Sequence, residues 1–201
     1  MKADILAAVR ANRPAPRPHP GTAAPRQRAS DAPARFVANS GLSYSKVVRL
    51  APGESLAELL AALEQSAGPC YVHVDEVDLG DLRAHPRFAT VTEATPTATI
   101  EDLAAVTVAV MRGGPAVIEN GAVWVDEREM GHRALPYACE HLVLLVREAD
   151  LVETMHEAYA RITPSGRFGC FIAGPSKTAD IEQSFVIGAQ GPRSLVVVLR
   201  G

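Results

Sequence analysis

Cysteine is scarce. Cys70, Cys139 and Cys170 are the three among 201 residues; they lie far apart, and no CxxC pair exists. An iron–sulfur cluster needs about four thiolates, several of them closely spaced, and a structural zinc site needs similar clustering. Each cysteine sits in or beside an apolar run, so each reads as a small core residue. Histidine patterns for metal are missing as well. His19, His73, His85, His132, His141 and His156 form no HxH or HxxxH, and the one corner to consider is His73 with Asp75 and Glu76. No metal and no cofactor is expected. A basic excess is absent: the net charge is -3, which gives no reason to expect nucleic-acid binding, a function that usually needs a basic face. No run of about 18 apolar residues is present, so no membrane span is expected. The opening MKADILAAVRANRP carries Asp4 and Arg10 inside its apolar part. It lacks the continuous apolar core of a signal peptide, and a cytoplasmic location is the expectation. Internal repeats are absent.

What is present is an ordinary globular balance, 47% apolar and 21% charged residues, enough for one domain with an appendage. The appendage is residues 1–45. Ile5, Leu6 and Val9 give a short amphipathic helix pattern that Pro14 ends. A Pro- and Arg-rich stretch, PAPRPHPGTAAPRQRASDAP, follows. Proline without an apolar period builds no core, so this reads as a solvated arm. A short helix is expected over 36–42.

Residues 46–201 form the main domain. Strands are expected at 46–50, 70–74, 88–92, 106–110, 122–125, 142–146, 168–173 and 194–199. Helices are expected at 56–65, with Ser55 as N-cap and Glu58 in the capping-box position, and at 149–162, where Leu151, Met155, Ala158 and Tyr159 have helical spacing. Weaker helical turns fall at 79–85 and 100–103. Alternating strands and helices make an α/β domain: an open, mostly parallel sheet covered on both faces, in three α/β/α layers.

The chemistry concentrates in residues 168–193, FGCFIAGPSKTADIEQSFVIGAQGPR. An apolar run, read as a buried strand, breaks at Gly174-Pro175. A polar loop of Ser176, Lys177, Thr178, Asp180 and Glu182 follows. Gly188-Ala-Gln-Gly-Pro192 then closes it before the last strand. Irregular segments on a rigid scaffold, beyond the carboxyl ends of strands, are where α/β domains place their sites. A Walker loop is excluded, because Pro175 and Ser176 separate the glycine from the lysine and Pro175 has no N–H to cradle phosphate. A simpler anion site remains open, with Gly174 allowing close approach and Ser176, Lys177 and Thr178 holding a carboxylate or phosphate. The competing reading is a hydroxyl-capped turn with a solvated Lys177. Asp180 and Glu182 share a face only in a strand, where one of them can act as a general base. Otherwise Asp180 caps a helix. Glu119-Asn120-Gly121 lies between apolar triplets. Its carboxylate either faces a site, with Asn120 and Gly121 as a substrate-binding wall, or bonds to nearby backbone N–H groups.

GPSKTADIEQ followed by GAQGP resembles the signature of the LUD domain, the lactate-utilisation protein C family. Val117–Val123 (VIENGAV) resembles that family's apolar-Glu-Thr/Ser-Gly-Thr-Val segment. Arg133-Ala-Leu-Pro136 and Glu140-His-Leu-Val143 resemble its Leu-Pro…His-Ile-Val stretch. The resemblance implies a fold like that of sugar-phosphate isomerases and CoA transferases. It also implies a place beside iron–sulfur proteins that convert L-lactate to pyruvate. This chain, lacking redox ligands, would be a non-redox subunit binding those partners or a small anionic ligand. In CoA transferases of similar fold a glutamate is the covalent nucleophile, so the alternative is an independent CoA-transferase-like or isomerase-like enzyme using Glu119 and the Lys177 loop on a small carboxylate or phosphate, and a third reading is a structural interaction module. Three positions depart from the family pattern. Asn120 and Ala122 remove hydroxyls, and Gln190 replaces a common histidine with a side chain that cannot titrate.

Overall fold

A computed structural model describes residues 2–18, 31–63, 68–88, 90–163, 168–181 and 184–201. In chain order the first elements are helices α1 (Lys2–Ala11) and α2 (Ala32–Leu42), strand β1 (Ser45–Leu50), helix α3 (Leu56–Leu63), strand β2 (Cys70–His73) and helix α4 (Glu76–Ala84). Then come β3 (Thr92–Glu93), α5 (Ile100–Ala104), β4 (Val108–Arg112), β5 (Ala116–Val117), β6 (Val123–Asp126), α6 (Glu127–Met130) and α7 (Leu135–Ala138). The chain closes with β7 (His141–Arg147), β8 (Leu151–Val152), α8 (Met155–Arg161), β9 (Gly169–Ile172), β10 (Lys177–Ile181), β11 (Ser184–Ile187) and β12 (Ser194–Arg200).

The main sheet has six strands in the order β1-β12-β7-β4-β2-β3, all paired in parallel. Two of its interior strands, HLVLLVR and SLVVVLR, are buried at every interior position, as a sheet covered on both faces requires. Alternate residues feed two cores. Val143, Leu145, Val196 and Val198 pack with Leu56, Leu60 and Leu82 of α3 and α4. Leu142, Leu144, Leu195 and Val197 face the other way, onto Phe36 of α2, Leu103, Met130 and Leu135, and the apolar side of a second sheet. That sheet runs β8-β5-β6-β9. The result is the expected three-layer α/β architecture, with one outer layer shared between helices and a small sheet. β10 and β11 form a separate antiparallel hairpin.

Several local expectations change. Residues 149–162 are not one helix: Leu151–Val152 is a strand of the second sheet, and α8 starts after Thr154, whose hydroxyl accepts the Glu157 N–H. The expected strand at 88–92 shrinks to β3, after a turn of 3-10 helix at Pro86–Phe88. The run at 168–173 becomes β9, half-buried throughout at the edge of the second sheet, because its neighbour is β6 alone. The polar loop after Gly174 is ordered as β10. Asp180 therefore sits in a strand and caps no helix.

The expected helix in the appendage is longer than predicted and belongs to the core. Phe36 of α2 is fully buried. Arg35 donates to both carboxylate oxygens of the buried Glu153, at 3.1 and 2.9 Å. Asn39 donates to the carbonyl of Ile118 at 2.6 Å. α1 has no buried residue.

Candidate functional site

The residues singled out in the sequence converge on one feature the sequence did not advertise, the turn between α2 and β1. Gly121 has φ +70, and a Cβ there would lie 2.6 Å from the Ser40 Cα. Gly174 has φ +78, and a Cβ there would lie 1.8 Å from the Ser43 carbonyl oxygen. Both positions require glycine, for conformation and for space. Ser43 joins the two segments. Its hydroxyl donates to the Asn120 carbonyl at 3.3 Å, and its own carbonyl accepts from the Lys177 ammonium at 2.8 Å. The Gly174 N–H donates to the Ser45 hydroxyl at 3.1 Å. The same ammonium stands 5.2 Å from the centre of the Tyr44 ring, within cation–π range. Tyr44 holds its backbone at φ +65.

The remaining members take the following places. Glu119 accepts the Met155 N–H at 2.7 Å, at the first turn of α8, so its carboxylate meets the positive end of that helix. Asn120 accepts the Ala122 N–H at 3.0 Å through its side chain, a local turn. The backbone of Ser176 joins the hairpin to the closing loop: its N–H donates to the Pro192 carbonyl, and its carbonyl accepts from Gly188, each at 2.9 Å. Thr178 pairs with Val186 across the hairpin, and Lys177 with Ile187. The backbone of Asp180 lies in β10. Glu182 lies outside the described residues. Glu119, Asn120, Gly121, Gly174 and Lys177 are thus brought around one turn. Ser40, Ser43, Tyr44 and Ser45, which hold them there, were missed. The signal available was the serine-rich SGLSYS between a helix and a strand.

This junction sits at the amino-terminal edge of the main sheet, where β1 begins at Ser45. The closing loop sits there too: the Arg193 N–H donates to the Glu140 carbonyl at 2.7 Å, and Ser194 meets His141 Nδ1 at 2.8 Å, at the starts of β12 and β7. The expectation that this loop lies beyond the carboxyl ends of the strands holds for β9 alone, which belongs to the second sheet.

The carboxyl edge of the main sheet carries a cleft of about 760 Å³. Three parallel strands end there in arginine: Arg112 of β4, Arg147 of β7 and Arg200 of β12. Each has a carboxylate partner. Arg112 pairs with Asp75. Arg147 holds Asp150 at 2.7 and 3.1 Å. Arg200 holds Asp78 at 2.9 and 2.7 Å. The Asp78 N–H, followed by Arg112 and Arg200, holds Asp75 below the usual carboxylate range against the opposing pull of partial burial. The sequence signal was legible: VAVMR, HLVLLVR and SLVVVLR are apolar runs that each end in arginine.

The cysteines are separated. Cys70 and Cys139 are buried, and burial pushes each thiol up to about 12. Cys170 is half-buried and accepts the Tyr137 hydroxyl at 2.9 Å. Among the described residues, no three His, Cys, Asp or Glu side chains gather as a metal site would need. No described helix is long and apolar enough to cross a membrane.

Comparison with known proteins agrees with this architecture. The chain is 36% identical over 90 residues to "Lactate utilization protein C" of Deinococcus radiodurans, a match spanning 43% of this chain and 42% of that relative. A crystal structure of a DUF162 family protein from Deinococcus radiodurans superposes with a TM-score of 0.64 at 19% identity, covering 88% of this chain and 100% of the other, and shares the fold. Residues 45–199 match the LUD domain, from the first residue of β1 almost to the end of β12, and the chain belongs to that family.

Proposed function

We propose that the chain is a non-redox subunit of an L-lactate utilisation system that oxidises lactate to pyruvate, working in the cytoplasm beside iron–sulfur partner proteins. The observation that carries this reading is the 36% identity to a lactate utilization protein C. The thiols support the non-redox part: two are buried in separate cores, Cys70 beneath α3 and α4, and Cys139 on the opposite face of the sheet.

The junction at Ser43 is the face proposed to meet the partner. Tyr44, Val186, Ile187 and Tyr137 are exposed large side chains. Tyr44 borders Lys177, and Val186 and Ile187 lie opposite Thr178 and Lys177 in the hairpin. Aromatic and aliphatic side chains on a rigid frame suit protein recognition. A protein partner is favoured over a small anion here because Lys177 already serves the Ser43 carbonyl and the Tyr44 ring. Glu119, Asn120, Gly121 and Gly174 then shape the face, and Ser176, Thr178 and the backbone of Asp180 belong to its hairpin side. The enzyme alternative would need Glu119 as nucleophile, yet that carboxylate is engaged by the Met155 N–H and lies away from the large cleft.

The test is disruption of the coding sequence in its native organism. Growth on L-lactate as carbon source should fail and return on complementation, while growth on pyruvate stays intact. Unchanged growth on L-lactate would overturn the proposal.

A further inference from the structure

We infer that the cleft at the carboxyl edge of the main sheet is a binding site for a polyhydroxylated organic anion larger than lactate, its carboxylate or phosphate head held by Arg161 and Arg147. This inference goes beyond the lactate reading and stands without it. The cleft's volume of about 760 Å³ falls in the range of sites for full-sized metabolites, roughly 300–1,000 Å³, and is far too large for a three-carbon acid. Its position, beyond the carboxyl ends of parallel strands, is where open α/β sheets bind ligands.

The charges specify the ligand. Among the described residues, Arg161, at the last turn of α8, donates to the Ala149 carbonyl at 3.5 Å and has no carboxylate partner. Its guanidinium is, among the described residues, a cleft cation that no carboxylate neutralises. Arg147 engages Asp150 through Nε and Nη2. That pairing leaves Nη1 and fixes the plane of the guanidinium, so little side-chain freedom is lost when a second anion arrives. The walls also carry carboxylates, Asp75, Asp126, Glu129 and Asp150. Asp75, Asp126 and Asp150 each accept from an arginine and retain acceptor capacity. A wall of guanidinium and carboxylate groups together favours an anion that also brings hydroxyl donors. Trp124 adds a flat apolar surface on which a carbon skeleton can rest.

Isothermal titration of the full chain at fixed ionic strength tests this with four probes: D-gluconate, D-glucose 6-phosphate, L-lactate and inorganic phosphate. At least one of the two six-carbon anions should bind with a Kd below about 1 mM, at least tenfold more tightly than L-lactate or inorganic phosphate. Gluconate alone identifies a carboxylate head, and glucose 6-phosphate alone a phosphate head. Arg161→Ala and Arg147→Ala should each weaken that binding by about 10-fold or more, as expected for a charge-assisted hydrogen bond. Arg83→Ala, a surface cation outside the cleft, should leave it unchanged. Arg161 and Arg147 are both exposed, so unchanged melting temperatures would certify the variants as folded. Binding by neither six-carbon anion, equal binding of lactate, or binding indifferent to Arg161→Ala and Arg147→Ala would each overturn the inference.

Discussion

The ammonium of Lys177 and the carbonyl of Ser43, separated by 134 positions in the chain, are hydrogen-bonded at 2.8 Å. The bond ties the β10–β11 hairpin to the turn that starts the main sheet. A solvated lysine would contribute almost nothing to stability; this one is half-buried between a carbonyl and an aromatic ring. Lys177→Ala should therefore lower stability by roughly 1–3 kcal/mol, the range for a hydrogen bond to a charged group. Urea denaturation of the two proteins would measure it. An unchanged midpoint would show that the hairpin is held by other contacts.

Gly174 is the tighter constraint on the same junction. Its φ of +78 strains any other residue, and a Cβ would meet the Ser43 oxygen at 1.8 Å. The obstacle is backbone, which cannot rotate away. Gly174→Ala should cost more than about 3 kcal/mol, conformational strain and clash together. Gly53→Ala is the matched comparison, because its φ is +86 but nothing lies within 4 Å of the added carbon. It should cost only about 1–2 kcal/mol. Equal losses in the two variants would mean that strain alone matters.

The amino-terminal appendage divides in two. α1 buries nothing, whereas α2 places Phe36 in the core and Arg35 on Glu153. Deleting residues 1–30 should leave cooperative melting intact. Phe36→Ala should cost about 3–5 kcal/mol. Thermal unfolding followed by circular dichroism distinguishes these outcomes, and a Phe36→Ala protein as stable as the parent would contradict the packing described.

Alkaline pH should destabilise the protein through its buried thiols. Cys70 and Cys139 have folded-state values near 12, above the ordinary thiol value of ~8.5. A raised folded pKa means that the stability is fully present below the unfolded value and is lost as pH rises towards the folded one. Each thiol should take away about 1.4 kcal/mol per pH unit above ~8.5. Denaturation midpoints between pH 8 and 10, under reducing conditions, should fall less steeply in Cys139→Ala than in the parent. Parallel slopes would show that Cys139 ionises freely when folded.

The sheet was legible in the sequence because its interior strands are buried on both faces, and residues 142–146 and 195–199 are apolar without interruption. Ser55 was legible as a cap because its hydroxyl does accept the Glu58 N–H, at 3.1 Å. The second sheet was not legible. β5 and β8 have two residues each, too few to show a period, and Leu151 and Val152 fit the helical spacing of Met155 and Ala158 equally well. The segments 119–121 and 174–178 stand out in the sequence, but the turn where they meet does not. It depends on Ser40, Ser43 and Tyr44, whose roles come from long-range contacts that leave no local pattern. The arginines that close three strands end apolar runs, a place where a solvated side chain is ordinary, and no local pattern shows that the parallel sheet gathers them in one cleft.

The central claim, a non-redox role in lactate utilisation, is tested most directly in extracts of cells that lack the chain. Conversion of L-lactate to pyruvate is measured before and after adding back the purified protein. The account predicts that the extract is deficient and that the parent protein restores it. A folded variant with Cys70, Cys139 and Cys170 all replaced by alanine should restore it equally well. Extracts that oxidise lactate normally without the chain, or a folded cysteine-free variant that restores nothing, would contradict it.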